Sequence, residues 1–262
     1  MPVKTDEFGF EESIEYHLLQ NGYVKGESSE YDKEWGLDND ALFDFIKATQ
    51  PDEWDQLKKF HGNNAKEKFL YRLDRVINKR GLLDVLRTGV KDRGVNIDLV
   101  YFAPASGLNP EIIEKYKSNI LKVTRQLHYS QKNENSLDMV LSVNGFPLVT
   151  IELKNQMTGQ TVEDAKQQYK RDRDPKELIF QFNKRSLVHF AVDPDEAFMT
   201  TRLMGKHTFF LPFNKGYKEG AGNPPNSDGY ETDYLWKDIW QKDSLLDIIG
   251  RFMHLKEETE IK

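Results

Sequence analysis

The sequence predicts an α/β chain: a central mixed β-sheet flanked by helices, with a mainly helical elaboration ahead of it. Three observations carry this. Up to about residue 79, apolar positions recur at three- and four-residue steps, the period of an amphipathic helix. From about residue 95 the pattern changes to short β-branched and aromatic runs bounded by Gly, Pro, Asn and Asp. One helical stretch then lies between two of these runs, as a crossover would.

The elements follow in order. In FEESIEYHLLQNGY, Ile14, Leu18 and Leu19 share a helix face with Glu11, and Asn21-Gly22 ends the helix. Residues 26–39 are polar and turn-rich and read as loop. Residues 40–49 form a short helix with Asn39 or Asp40 as cap. Pro51 opens the next helix and Gly62 stops it. Residues 65–79 form a longer one, with Phe69, Leu73, Val76 and Ile77 on one side. VNIDLVYFAP (95–104) reads as a strand halted by Pro104, ASGLNP (105–110) as a turn, and Pro110-Glu111 as the start of a short helix.

Strands follow at 121–130, 137–145 and 147–155, the last two joined by a hairpin turn at 144–147. Residues 161–173 form a helix with Val162, Ala165 and Tyr169 on its buried side and a Thr161/Asp164 capping pair. The continuous apolar run at 186–193 is a central strand covered on both faces, with His189 a core residue rather than a ligand. Further strands are expected at 197–203 and 207–213. Residues 215–233 are a Gly/Pro/Asn-rich loop, and an apolar helix closes the chain at 245–255. The expected layout is therefore a helical elaboration (1–94), a sheet core with the site (95–213), and a loop with a C-terminal helix (214–262).

Composition narrows the function. The chain has 262 residues, 38% hydrophobic and 31% charged, with mean hydropathy −0.70. No apolar run approaches the ~18 residues a bilayer crossing requires, so no membrane partner is expected. The N-terminus lacks the basic, apolar and cleavage regions of a secretory signal. The absence of cysteine excludes disulfides, thiolate nucleophiles and Cys-ligated zinc, and suits a cytoplasmic protein. Net charge is −6, so contact with nucleic acid would need a local basic patch. The sequence contains no HExxH zinc site, GxSxG elbow or phosphate-binding P-loop.

The informative stretch is 136–172. Asp138 opens one strand, and Glu152 and Lys154 lie near the end of the next, 13 residues intervening between Asp138 and Glu152. Hairpin pairing brings Asp138 to the Glu152 end. The i, i+2 spacing sends Glu152 and Lys154 out of one face, while Leu153 points the other way. Two carboxylates and a lysine suit metal-assisted phosphodiester hydrolysis. Mg²⁺ prefers hard oxygen ligands, and the Leu153 backbone carbonyl offers a third.

This arrangement resembles the D…(D/E)-x-K site of restriction-endonuclease-like nucleases. More specifically, the chain resembles the N-terminal nuclease domain of the R (restriction) subunit of type I restriction enzymes. The words that carry the resemblance are KATQPDEW, RGLLDVLRTGVKDRGV, PASGLNPE, KNENSLDMVL, ELKNQMTGQTVEDAKQQYKRDRDP, VHFAVDPDEAFMTTRL, FLPFN and GAGNPPN, spread from about Phe10 to Leu255.

The resemblance implies a restriction-endonuclease-like fold and a Mg²⁺-dependent endonuclease acting on double-stranded DNA in defence against foreign DNA, with Mn²⁺ able to substitute. Asp138 and Glu152 would bind the metal, Lys154 would manage the water and the leaving charge, and Gln168 would orient DNA or the lysine. Glu11 of the first helix is a further candidate metal ligand, and a solvent-exposed Glu11 or the neighbouring Glu12 fits equally well. The family's Q-x-x-x-Y pattern is not met, since Asp172 stands four after Gln168. The proline usual before the first aspartate is replaced by Leu137.

The basic residues Lys166, Lys170, Arg171, Arg173, Lys176, Lys184 and Arg185 are candidate DNA-backbone contacts, but interleaved acidic residues also fit a solvated helix face. The resemblance also implies modification (methyltransferase) and specificity subunits as partners. It implies an ATP-driven motor elsewhere in the R subunit, so ATP binding belongs to that part. Residues 215–233 are the candidate subunit contact. Two other readings fit the same residues: a catalytically silent docking module joining motor to methyltransferase core, and a DNA-repair nuclease of the same superfamily.

Overall fold

The computed structural model describes residues 7–104, 109–155 and 159–256. Helix α1 (Glu7–Gln20) buries Phe10, Ile14 and Leu18, one residue per turn. A three-residue strand follows, β1 (Val24–Gly26), where only loop was expected near residue 26. Helix α2 (Asn39–Thr49) is capped by Asp38 rather than Asn39 or Asp40: the Asp38 carboxylate accepts the Ala41 N–H at 2.9 Å. Helices α3 (Pro51–His61) and α4 (Ala65–Arg80) match their apolar periodicity. Helix α5 (Leu82–Thr88) is an addition, a short apolar turn set between Gly81 and Gly89.

The strand expected over 95–104 shrinks to β3 (Val95–Ile97), which pairs with β2 (Val90–Asp92) in a ribbon separate from the main sheet. The ladder stops because the Asp98 N–H goes to the Gln50 side chain at 2.7 Å. Of the expected turn, residues 105–108 lie outside the described residues. Helix α6 (Pro110–Lys117) starts at the predicted proline.

The main sheet comprises β4 (Leu121–His128), β5 (Ser136–Val143), β6 (Phe146–Leu153), β7 (Val188–Val192), β8 (Ala197–Thr200) and β9 (Leu211–Pro212), with β1 at the other edge. Its order is β1-β4-β5-β6-β7-β8-β9. The β1–β4 and β6–β7 pairs are parallel and the rest antiparallel, so the sheet is mixed. Helix α7 (Val162–Arg171) supplies the crossover that the parallel β6–β7 pair needs. The last strands are shorter than expected. The closing helix α8 (Lys242–Asp247) passes into a π-helical turn, Ile248–Phe252. This is an α/β architecture with a seven-stranded mixed sheet between helices, consistent with a restriction-endonuclease-like fold. Among the described residues no helix is long and apolar enough to cross a membrane.

The two faces of the sheet carry separate cores. Met139, Leu141, Val149, Ile151, Leu153, Phe190 and Val192 join the larger one, with α1 to α5 and the C-terminal helix. Val140 and Ala191 face the smaller one, with Val162, Ala165 and Tyr169 of α7. The β5–β6 turn, Asn144-Gly145, is itself buried: a Cβ at Gly145 (φ 89°) would stand 2.2 Å from the Asp38 carbonyl oxygen, so glycine is required there.

Beneath the site on the α7 side, Thr150 Oγ1 lies 2.7 Å from His189 Nδ1 and 2.8 Å from the Tyr169 hydroxyl. Burial pushes the His189 pKa down from 6.5 to about 3. Below pH 6.5 the unfolded chain takes up a proton that the fold refuses until about pH 3, so His189 lowers stability over that window as pH falls. The difference is about 1.4 kcal/mol per pH unit. Denaturant unfolding of a His189→Gln variant between pH 6 and 4 should therefore show a shallower loss of stability than the parent chain. Equal slopes would show that His189 is protonated in the fold.

Candidate active site

The site forms where two paired strands separate. The β5–β6 ladder shifts register by one residue between Val143 and Leu141 and then runs on to Met139↔Ile151, which sets Asp138 opposite Glu152. The next ladder bond is replaced. The Leu153 N–H, which would continue the pairing, goes instead to Asp138 Oδ2 at 2.8 Å. On its other edge β6 stays attached to β7, with Lys154 N–H donating to the Val192 carbonyl at 2.9 Å. Because the N–H and C=O of one strand residue point to one side, the Leu153 carbonyl also turns toward β5. Lys154 Nζ lies 3.7 Å from Asp138 Oδ2. Leu153 packs in the larger core, on the face opposite Glu152. The structure thus brings Asp138, Glu152 and Lys154 together.

Glu152 is fully buried. Burial first, and then the neighbouring Asp138 charge, push its carboxyl well above the usual range, against the pull of Arg173. Arg173 Nε donates to Glu152 Oε1 at 2.6 Å, and Arg173 Nη2 donates to the Ser136 carbonyl at 2.7 Å. The guanidinium also lies over the Tyr129 ring, 5.8 Å from its centre. The second oxygen, Glu152 Oε2, is buried with no hydrogen-bond partner.

Arg173 was expected on the DNA-facing surface. It is 5% exposed and serves as the internal counter-ion of Glu152. A sequence signal exists for this: Arg173 stands four residues after Tyr169 and so falls on the buried stripe of α7 extended by one turn. The other basic candidates divide. Lys166 is nearly covered, lies over the Phe198 ring at 3.8 Å and pairs with Glu163, which removes it from the free surface. Arg185 is buried too, donating to the Trp35 carbonyl at 2.6 Å and to Asp74 at 2.8 Å. Lys184 reaches Asn78 Oδ1 at 2.6 Å. Lys170 is half-buried, and Arg171 and Lys176 are exposed.

Gln168 is half-buried on α7 beside Tyr169, and the hydrogen bonds around Asp138 and Glu152 do not include its side chain. Glu11 comes to the site. Its carboxylate accepts from Arg125 Nε at 2.9 Å and from Gln126 Nε2 at 3.1 Å. The same Gln126 nitrogen lies 3.5 Å from Asp138 Oδ1. The Arg125 guanidinium balances Glu11 from the β4 side. Gln126 was not anticipated, and no periodicity or motif in the sequence marks it.

Among the described residues no three His, Cys, Asp or Glu side chains gather as a metal site on their own. The donor set is two opposed carboxylates, one with a buried unpartnered oxygen, and a backbone carbonyl turned toward them. A buried anionic oxygen without a donor is costly unless a proton or a cation meets it. An all-oxygen set of this kind fits a hard divalent cation that keeps most of its waters.

A family model described as the type I restriction enzyme R protein N terminus matches residues 10–208. No curated protein matches the chain. The matched span runs from α1 through the sheet and includes Asp138, Glu152 and Lys154. With its mixed sheet, its splayed β5–β6 pair and a family match over most of its length, the chain belongs to the family of type I restriction enzyme R protein N-terminal domains.

Proposed function

We propose that this domain is a DNA endonuclease that hydrolyses phosphodiester bonds of double-stranded DNA, with Mg²⁺ (or Mn²⁺) held by Asp138, Glu152 and the Leu153 carbonyl. The observation that carries the reading is the buried, unpartnered Glu152 Oε2 opposite Asp138, with the Lys154 ammonium alongside. When bound, the cation would polarise the phosphate and acidify a water.

The chain's own residues do the rest. The Leu153 N–H orients Asp138. Arg173 anchors one oxygen of Glu152 and leaves the other for the cation. Lys154 would donate hydrogen bonds to the attacking water and to the charge building on the phosphate. The water gives up a proton to solvent as its oxygen bonds to phosphorus, one P–O ester bond breaks, and the leaving sugar oxygen takes up a proton from solvent. Gln168, Lys170 and Arg171 would hold the DNA backbone, which supplies position and salt dependence but no sequence reading. Site recognition would fall to the specificity subunit, methylation to the modification subunit, and ATP-driven translocation to the motor. Cleavage would then follow at sequence-independent positions in the cytoplasm.

One observation favours a second reading. Arg173 already neutralises Glu152, as it would in a silent module that docks motor to methyltransferase core. Calorimetry with Mn²⁺ separates the two. The nuclease reading expects the unaltered chain to bind and Asp138→Ala and Glu152→Ala to weaken binding by more than the roughly 100-fold that losing an outer partner can cost. Equal binding by all three would leave the docking module standing. Because the cation needs the Glu152 carboxyl ionised and burial holds that carboxyl above its usual range, affinity should rise with pH.

Arg173 gives a separate test. Arg173→Met leaves Glu152 buried without its partner, which costs about 3–5 kcal/mol when the carboxylate is charged. At low pH Glu152 can take a proton and the loss should shrink. Unfolding midpoints at pH 5 and pH 8 that fall equally would contradict the ion pair.

A further inference from the structure

We propose that Gln126 is a positioning residue of the active site: its carboxamide sets the orientation in which Asp138 meets a cation, and the left-handed backbone at residue 126 serves to put it there. This rests on the nuclease reading above.

The first observation is conformational. Gln126 has φ 48°, inside strand β4. Its neighbours pair regularly, Arg125 with Met139 and Leu127 with Leu137, so the irregularity is confined to the residue opposite Asp138. A glutamine gains nothing local from this conformation, which suits Gly, Asn or Asp. Nor is it repaid by burial, since Gln126 is exposed. Strain of this kind persists where the surroundings over-determine it, and it collects at functional sites.

The second observation is what the side chain reaches. Gln126 Nε2 lies 3.1 Å from Glu11 Oε1 and 3.5 Å from Asp138 Oδ1, and Gln126 Oε1 accepts the Ser136 hydroxyl at 3.0 Å. The 3.5 Å contact is at the long end of a hydrogen bond, so it supplies direction rather than strength. The Ser136 carbonyl in turn accepts from Arg173 at 2.7 Å, and Arg173 holds Glu152 at 2.6 Å. One side chain therefore touches Asp138 directly and Glu152 through two intermediates.

The third observation is the sheet itself. On β4, Val123 belongs to the larger core and Leu127 to the smaller; on β5, Met139 belongs to the larger and Leu137 to the smaller. Regular alternation would place each pair on one face. Both strands switch faces at the Gln126–Asp138 position, the level at which β5 and β6 part.

The test uses the whole 262-residue chain, with Mn²⁺ calorimetry and thermal unfolding on the parent and on Gln126→Gly, Gln126→Asn and Asp138→Asn. Glycine adopts the backbone freely but lacks the carboxamide. The expected result is an unchanged or higher Tm with Mn²⁺ affinity lowered roughly 10–100-fold. Asparagine, which tolerates the backbone and keeps a shorter carboxamide, should recover part of that loss. Unaltered affinity in Gln126→Gly, with affinity lost in Asp138→Asn, overturns the inference and leaves the nuclease reading intact. A markedly lower Tm in Gln126→Gly also overturns it, because Gln126 would then be holding the fold. No binding by the parent, or full binding by Asp138→Asn, removes the nuclease reading and this inference with it.

Discussion

The Glu152–Arg173 ion pair is the constraint around which the rest is arranged. A carboxylate with no solvent exposure opposes another carboxylate across a strand pair, and a charge in that position is unfavourable without compensation. Arg173 supplies the compensation from the far end of α7 and fixes that helix to the site by a second bond to the Ser136 carbonyl. The crossover helix, the end of β5 and the end of β6 are thus tied at one point. The pair is incomplete, since one oxygen of Glu152 remains without a donor.

Local charge is closely balanced. Asp138, Glu152 and Glu11 are met by Lys154, Arg173 and Arg125 within hydrogen-bonding or ion-pairing distance. An arrangement of this kind tolerates burial before any cation arrives. It also means that cation binding changes the charge of the site, which ties binding to protonation. The splay between β5 and β6 makes the room: a side-chain carboxylate takes the N–H that a ladder carbonyl would otherwise have had. The net charge of −6 does not by itself exclude a local basic patch, since Lys170 is half-buried and Arg171 exposed at the end of α7. It does imply that affinity for DNA would be modest and local.

Much of the core was legible in the sequence because its signals are short-range. The Asn144-Gly145 turn marks the β5–β6 hairpin, but from Val143↔Phe146 alone Asp138 would face Ile151, and it is the one-residue register shift before Leu141↔Val149 that sets it opposite Glu152. Two-residue spacing separated Glu152 and Lys154 from Leu153, and the 162/165/169 stripe told which face of α7 is buried. The errors were of another sort. Strand β1 is three residues long and exists because β4 offers it an edge; the run at 95–104 leaves its ladder because Gln50 takes the next amide. Asp38 caps α2, one residue before Asn39 and two before Asp40, the expected caps.

The hairpin turn, the helix stripe and the D…ExK spacing follow from the periods of strand and helix, which any stretch of ten residues or so carries within itself. The partners of the site residues do not. Arg173 meets Glu152 across 21 positions, and Glu11 meets Arg125 across 114. Whether an arginine is a surface contact or a buried counter-ion depends on which elements exclude water around it. Packing of the two cores against the sheet settled that, along with the left-handed turn at Gln126, because desolvation and backbone strain are properties of the assembled fold and not of any local run of residues.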